Sequence, residues 1–185
     1  MDDVEFDNKL NLILKDVFGD DFFYNQHLLC EHKITKNHIY HKLGYILICA
    51  SEVGNLKYVK FAIRNGATSY YEYDTPLRQA AMYGYLEIVK YLMKHGAGKS
   101  KNTHHWDGTE AVGGEVALYL ALIHREFNVV DYLIEYNVGL EYTYKCARHM
   151  NGIQLNYFRK KVIELSRLDK ILPTEITQLI SQFIV

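Results

Sequence analysis

The sequence predicts an all-α protein built as a solenoid of stacked helix pairs, and three observations support that prediction. The chain has 185 residues, 49% of them hydrophobic, 23% charged and only 2 prolines, which suits a packed domain rather than a disordered tail. Apolar residues recur three or four positions apart along several segments, as on one face of a helix. One pattern of residues also occurs three times, which indicates a repeat architecture.

The clearest copy of the repeat occupies residues 75–97. It reads Thr-Pro-Leu-x-x-Ala-Ala-x-x-Gly-x-Leu-x-Ile-Val-x-x-Leu-x-x-x-Gly-Ala. A second copy lies 30 positions earlier and keeps these residues of the pattern: Leu47, Ala50, Gly54, Leu56, Val59, Gly66 and Ala67. A third copy lies 41 positions later and keeps an equivalent apolar skeleton: Leu118, Ala121, Phe127, Val129, Val130 and Leu133. One copy cannot cover its own apolar face, so the copies are expected to stack.

This pattern resembles the ankyrin repeat, and the resemblance implies a helix-turn-helix unit with short turn loops between units. The local chemistry agrees, since Thr75 can cap the first helix and Pro76 suits its first turn. Gly84 permits the tight turn between the two helices. In the third copy Arg125 replaces that glycine, and Asn137 replaces the second one while keeping a residue type that ends helices.

The predicted organisation has three parts. Residues 1–39 form an N-terminal helical cap or a divergent repeat, residues 40–138 hold the three repeats, and residues 139–185 hold a degenerate repeat and a C-terminal helix. In the first part an apolar stripe predicts one helix through Leu10, Ile13, Leu14, Val17 and Phe18. In the last part Gly152 is expected to open a helix with an apolar face formed by Leu155, Phe158, Val162 and Leu165.

The resemblance also implies where a partner would bind, because ankyrin proteins generally use the turn tips and the exposed residues of the first helices. Transferred copy by copy, these positions give the following candidate partner-binding residues: Glu52, Val53, Tyr71, Glu72, Asp74, Met82, Tyr83, Ile123 and His124. Tyrosine and methionine suit protein recognition. The alternative is that these tyrosines are half-buried spacers between repeats.

An 11-residue excess between the second and third copies enlarges the loop at residues 98–115, which holds the only tryptophan. Trp106 is a candidate interface anchor, since long loops in compact repeats are usually functional or disordered. The alternative is an insertion that pins Trp106 against the convex side. Within this loop Gly113 and Gly114 are expected to form a turn.

The last twenty residues leave the repeat pattern. The run from Leu172 to Ile176 resembles the opening of an F-box and the truncated F-box-like C-terminus of poxvirus ankyrin proteins. That resemblance implies recruitment of a cullin-ligase adaptor through a tail formed by Leu172, Pro173, Glu175, Ile176, Leu179, Ile180 and Phe183. The alternative, which we favour, is a helix that caps the stack, because terminal repeats need closing and the further helices of an F-box are missing.

Composition and motifs argue against several other functions. A net charge of −1 does not provide the basic field of a general nucleic-acid binder. There is no phosphate-binding loop, dinucleotide fingerprint or nucleophile elbow, so neither an enzyme nor a cofactor is expected. Two groups of residues could meet a metal but lack zinc-ligand spacing: His104, His105 and Asp107, and Cys30, His32, His38 and His41.

The three cysteines are widely spaced, and no apolar run is long enough to cross a bilayer, so we expect an intracellular, cytoplasmic protein. The residue usage, rich in Tyr, Asn, Ile and Lys with 16 tyrosines, resembles that of ankyrin proteins from large DNA viruses, either giant amoebal viruses or poxviruses. The sequence therefore predicts a viral module that binds a host protein. The alternatives are a substrate receptor of a cullin-type ubiquitin ligase and a structural or virion-associated protein.

Overall fold

The computed structural model describes residues 3–18, 36–102, 111–136, 138, 140–146 and 149–167. Within these ranges the helices are α1 (Asp3–Phe18), α2 (Lys36–Glu52), α3 (Leu56–Arg64), α4 (Tyr71–Met82), α5 (Leu86–Lys94), α6 (Gly113–His124), α7 (Phe127–Glu135), α8 (Glu141–Lys145) and α9 (Gly152–Arg167). Two short strands, β1 (Lys101–Asn102) and β2 (Ala111–Val112), pair antiparallel between α5 and α6. The all-α prediction is confirmed.

Three consecutive helix pairs form the centre of the molecule: α2 with α3, α4 with α5, and α6 with α7. We call the first helix of each pair the inner helix and the second the outer helix. The inner helix α4 packs between α2 and α6. Alanine occupies one equivalent position of every inner helix, and Ala50, Ala80 and Ala121 are all fully buried. A small side chain at that position lets the inner helices approach closely, as the repeat pattern predicts.

The turn inside each helix pair needs one residue in the left-handed region. Gly54 and Gly84 supply it in the first two pairs, with φ of 76° and 75°. In the third pair Arg125 adopts the same conformation, with φ of 65°. Glycine takes this conformation without steric cost, whereas an L side chain does not, so the arginine is held there by the packing of α6 and α7.

Further helices close both ends of the three pairs. At the N-terminal end α1 packs on α2 and buries Leu10 and Ile13, two residues of the stripe predicted from the sequence. At the other end α8 and α9 follow as a fourth pair in chain order; both contact α6, and Phe158 and Val162 of α9 are buried. Leu155, which also belongs to the apolar face predicted after Gly152, is half-buried.

Lysines on the outer side of the stack lie over aromatic rings of the following unit. The rings are those of Phe61, Tyr91 and Tyr132, which occupy equivalent positions of the three outer helices. Their partners are Lys9, Lys60 and Lys90, whose Nζ atoms lie 5.6, 5.7 and 6.0 Å from the ring centroids. A cation at this distance is attracted by the negative face of the ring.

In the third outer helix Asp131 takes the position that Lys60 and Lys90 hold in the first two. Its carboxylate accepts a hydrogen bond from the Tyr157 hydroxyl at 2.7 Å and pairs with Lys161 at 3.0 Å. At the contact between the third and fourth pairs, the third outer helix therefore contributes a carboxylate, where the first two outer helices contribute a lysine.

The expected turn at Gly113 and Gly114 is wrong, because these two residues open α6. A Cβ on Gly113 would lie 2.2 Å from the Asp74 Oδ2 atom, and one on Gly114 would lie 2.9 Å from the Gly98 carbonyl oxygen. The glycines are thus required by close packing against the preceding connection, and not by a turn.

Candidate partner-binding surface

One part of the candidate surface is a row of exposed residues at the ends of the inner helices. Val53, Tyr83 and His124 occupy equivalent positions of the three repeats, and we call them the helix-end row. Val53 is 51% and Tyr83 42% exposed, and His124 is also exposed. Among their neighbours Glu52 is exposed, whereas Met82 and Ile123 are half-buried. The row gives a partner access to all three repeats.

Tyr71 does not belong to the helix-end row, and its side chain is only 8% exposed. Its ring lies against Gly44, where an added Cβ would come within 2.4 Å of a ring carbon. Its hydroxyl forms a 3.0 Å hydrogen bond with Nδ1 of His41. Burial, followed by the electrostatic effects of Glu72 and Tyr40, raises the pKa of Tyr71 to about 12. Tyr71 therefore packs mainly against α2, and its direct contact with a partner stays a prediction.

Asp74 is fully buried, so its side chain is not accessible to a partner, and the prediction that it contacts one is corrected. Its Oδ1 atom accepts a hydrogen bond from the Gly98 N–H at 2.8 Å, and its Oδ2 atom accepts one from the Ser100 N–H at 2.9 Å. The carboxylate therefore fixes the start of the next connection to the inner helix α4. Sequence reasoning placed Asp74 at an exposed turn tip because its two partners lie 24 and 26 residues further along the chain.

The start of α4, from Tyr71 to Asp74, is separated from the rest of the helix by a kink that the sequence did not predict. We count these four residues with the connection that precedes the helix. Glu72, Tyr73 and Asp74 are all left-handed, with φ of 44°, 57° and 63°. None of them is glycine, and each such residue costs roughly 1–2 kcal/mol. The Thr75 hydroxyl donates a 2.6 Å hydrogen bond to the Glu72 carbonyl and closes this turn. As a result Asp74 is buried while Tyr73 remains 52% exposed.

The second part of the candidate surface is a cavity of about 400 Å³ beside this turn, which we call the tyrosine pocket. Its lining consists of Tyr40, Thr68, Tyr70, Tyr71, Glu72, Tyr73 and Ser100. Tyr70 and Tyr73 are each more than half exposed, at 53% and 52%. The rings of Tyr40 and Tyr71 meet edge to face, with centroids 5.7 Å apart and planes at 68°. Tyr40 is held in place by a 3.1 Å hydrogen bond between its hydroxyl and that of Thr68.

Sequence reasoning missed Tyr40, Tyr70 and Tyr73 because the pocket joins residues from α2, from the connection after α3 and from the connection after α5. One signal was available, namely the dense run Tyr70-Tyr71-Glu72-Tyr73 just before the repeat pattern begins at Thr75. Buried and exposed tyrosines alternate there, which the repeat pattern alone does not reveal.

A second cavity, of about 370 Å³, lies at the base of the enlarged connection. It is lined by Met93, Ala97, Gly98, Lys99, Val112, Glu115, Tyr136 and Val138. The Glu115 carboxylate accepts a hydrogen bond from the Val112 N–H at 3.3 Å and so helps to begin α6. Trp106, the proposed anchor of this connection, lies outside the described residues.

The whole candidate adaptor-binding tail, from Leu172 to Phe183, also lies outside the described residues. Whether it recruits an adaptor or caps the stack stays a prediction from the sequence.

The described residues offer little chemistry of their own. Among them no group of three His, Cys, Asp or Glu side chains is placed to hold a metal ion. Cys49 is buried, and burial together with the Glu52 charge raises the pKa of its thiol to about 12. A thiol with so high a pKa carries almost no thiolate at neutral pH and is a poor nucleophile. In the same part of the chain no helix is long and apolar enough to cross a membrane.

Comparison with known proteins identifies the class of repeat. The family model described as ankyrin repeats (3 copies) matches residues 23–103 and 46–146, which together cover more than half of the chain. The chain belongs to the ankyrin-repeat family, whose members serve as non-enzymatic scaffolds and generally bind other proteins. It is also 36% identical over 75 residues to an ankyrin repeat-containing protein of Arabidopsis thaliana. That match covers 40% of this chain and 13% of the plant protein.

Proposed function

We propose that this protein binds another protein through the helix-end row and the tyrosine pocket. The observation that supports the proposal best is the exposure of three tyrosines, Tyr70, Tyr73 and Tyr83, on elements fixed by the repeat stack. Exposed tyrosines on rigid elements offer a large contact area at low cost in conformational entropy. The helix-end row adds an apolar and aromatic edge that runs across the repeats.

The finer proposal is that the partner is a host protein and that the chain comes from a large DNA virus and acts inside the host cell. It rests on the composition of the sequence and on the resemblance noted there. The free, buried thiols of Cys49 and Cys146 are compatible with a reducing compartment.

An affinity experiment tests the proposed role. The full chain and a Tyr73→Gly, Tyr83→Ala double variant serve as baits in lysate from eukaryotic cells, and the bound proteins are identified by mass spectrometry. A Tyr136→Ala variant is the matched control, since Tyr136 is 48% exposed but belongs to neither the helix-end row nor the tyrosine pocket.

We expect a protein that the full chain and the control capture equally and that the double variant loses. Purified partner and repeat protein should then form a complex with a measurable Kd. Equal capture of every protein by all three baits would contradict the proposed surface.

A further inference from the structure

We propose that the tyrosine pocket binds the ammonium group of a lysine side chain on the partner, most tightly when that lysine is methylated. This inference rests on the proposed function, because it names the chemical group that the surface recognises.

The walls of the pocket are aromatic and meet at a steep angle. Four of its seven described lining residues are tyrosines. Tyr40 and Tyr71 are fixed at 68° to each other by their edge-to-face contact and by a hydrogen bond at each hydroxyl group. Tyrosine rings that line a cavity can offer a cation their negative faces. The remaining rings, Tyr70 and Tyr73, are exposed and can close around a bound side chain.

The rim of the pocket carries a negative charge. Glu72 is exposed, and within the described part of the chain its carboxylate forms no hydrogen bond or ion pair. Its charge contributes to the raised pKa of Tyr71, behind burial. Burial lowers the pKa of the nearby Arg78, while the charges of Asp74 and then Glu72 raise it. Arg78 is half-buried and donates a 2.6 Å hydrogen bond to the Thr75 hydroxyl. A ligand cation in the pocket would therefore lie among tyrosine side chains and beside an exposed carboxylate.

The described lining of the second cavity does not combine several tyrosine rings with an unpaired carboxylate. Its lining includes the cation Lys99, and its carboxylate, on Glu115, is already used by the Val112 N–H. Tyr136 is the one aromatic residue among its described lining residues. In the part of their lining that the structure describes, the two cavities of similar volume thus differ in ring number and in free charge, and the tyrosine pocket is the better match for an ammonium group.

A small-molecule titration tests the inference without the protein partner. The probe is N-acetyl-trimethyllysine amide, and the comparison compound is its neutral analogue, in which carbon replaces the ammonium nitrogen. Backbone amide signals of the full chain are followed by NMR at millimolar probe concentrations. We expect shifts centred on residues 70–73 and 100, with the neutral analogue bound about 5-fold more weakly, because only the cation gains from the rings and the carboxylate.

Three variants sharpen this test. Tyr73→Gly removes one ring at a left-handed position that glycine tolerates, so the variant keeps the fold and should weaken probe binding about 3-fold or more. Glu72→Gln keeps the shape of the rim and should weaken binding of the cation but not of its neutral analogue. Tyr136→Ala is the control and should leave binding unchanged.

Equal affinity for the probe and its neutral analogue would overturn the inference, and so would shifts centred on Tyr136 and Val138. A failure of the proposed function would give a different experimental result from a failure of the ammonium site. Selective probe binding without any protein captured by the full chain would leave the ammonium site standing and remove the interaction role. A captured partner, together with no selectivity for the cation, would overturn only the ammonium site.

Discussion

The two connections between repeats differ in length and in secondary structure. The first, from Asn65 to Asp74, contains no strand and reverses through three left-handed residues. The second leaves α5 at His95, passes through β1 and β2 and enters α6 at Gly113. In each connection the second residue is a glycine with positive φ, Gly66 in the first and Gly96 in the second. The stacking of the helices fixes the distance between one helix pair and the next. Repeats of different length therefore differ mainly in these connections.

The comparison also shows that the two connections are not independent. The carboxylate of Asp74, at the end of the first, binds two N–H groups at the start of the second. The Gly113 N–H in turn donates to the Ser100 carbonyl at 2.7 Å, and the Gly114 N–H donates to the Gly98 carbonyl at 3.1 Å. The short, strained connection thereby positions the Asp74 carboxylate, which fixes the start of the long connection.

The largest effect is expected for Asp74→Ala, which breaks the link between the connections. Two backbone N–H groups lose a buried charged acceptor, which should lower the free energy of unfolding by about 3 kcal/mol. Chemical denaturation followed by circular dichroism measures the change. Glu87→Ala, at an exposed side chain paired only with Lys90, is the control and should cost about 0.5 kcal/mol or less. Equal losses in the two variants would show that the Asp74 contacts do not stabilise the fold.

A smaller loss, about 2 kcal/mol, is expected for Gly113→Ala because the new Cβ collides with the Asp74 carboxylate. Gly152→Ala provides the matched control, since this glycine also opens a helix but has no atom within 4 Å of an added Cβ. That change should raise stability slightly, by about 0.5 kcal/mol. If both substitutions shift the denaturation midpoint in the same direction, the close packing at Gly113 is not significant.

Relief of strain in the short connection should raise the free energy of unfolding, whereas Asp74→Ala and Gly113→Ala should lower it. Tyr73→Gly is expected to raise the free energy of unfolding by about 1 kcal/mol, because glycine adopts the left-handed conformation without steric cost. Arg125→Gly should gain a similar amount for the same reason. Arg64→Gly, at the right-handed end of α3, is the control and should instead lose about 0.5–1 kcal/mol. A loss in Tyr73→Gly as large as in the control would contradict the strained turn.

The smallest effect on stability is expected from the ionisation of Tyr71, which lies in the short connection. The phenol stays protonated in the folded state up to a pKa of about 12, whereas its ordinary pKa is 10.0. The folded state therefore holds more protons between these values, so stability should fall as pH rises from 10 towards 12. Tyr71→Phe loses the hydrogen bond to His41, at a cost of about 1 kcal/mol at neutral pH. Its decline above pH 10 should be flatter than that of the unchanged chain, measured by thermal melts across this range. Parallel declines would mean that Tyr71 does not contribute to the loss.

Much of the fold was predictable because its causes are local. The spacing of Leu86, Val89 and Leu92 requires an amphipathic helix, and Gly84 marks the turn before it. The short connection was not predictable, since no glycine marks Glu72, Tyr73 or Asp74 as left-handed. That conformation is stabilised by contacts with residues far along the chain, which the repeat pattern does not encode.

The candidate surface was predictable only in part, for the same reason. The helix-end row follows directly from the repeat, because equivalent positions of equivalent helices have equivalent exposure. The tyrosine pocket combines Tyr40, Tyr73 and Ser100, which lie in three different units. Its existence depends on the lengths of the connections, and these are the parts in which the copies differ.

The lysine–ring contacts along the outer helices determine how such an array could grow. The second repeat carries Tyr91, which accepts a lysine from the unit before it, and Lys90, which serves a ring in the unit after it. A tandem duplicate of this repeat would therefore find a matching neighbour on both sides. A copy inserted after α7 would meet Asp131 in place of a lysine. Gene duplication could thus lengthen the protein in its middle while the last pair keeps its own distinct contact.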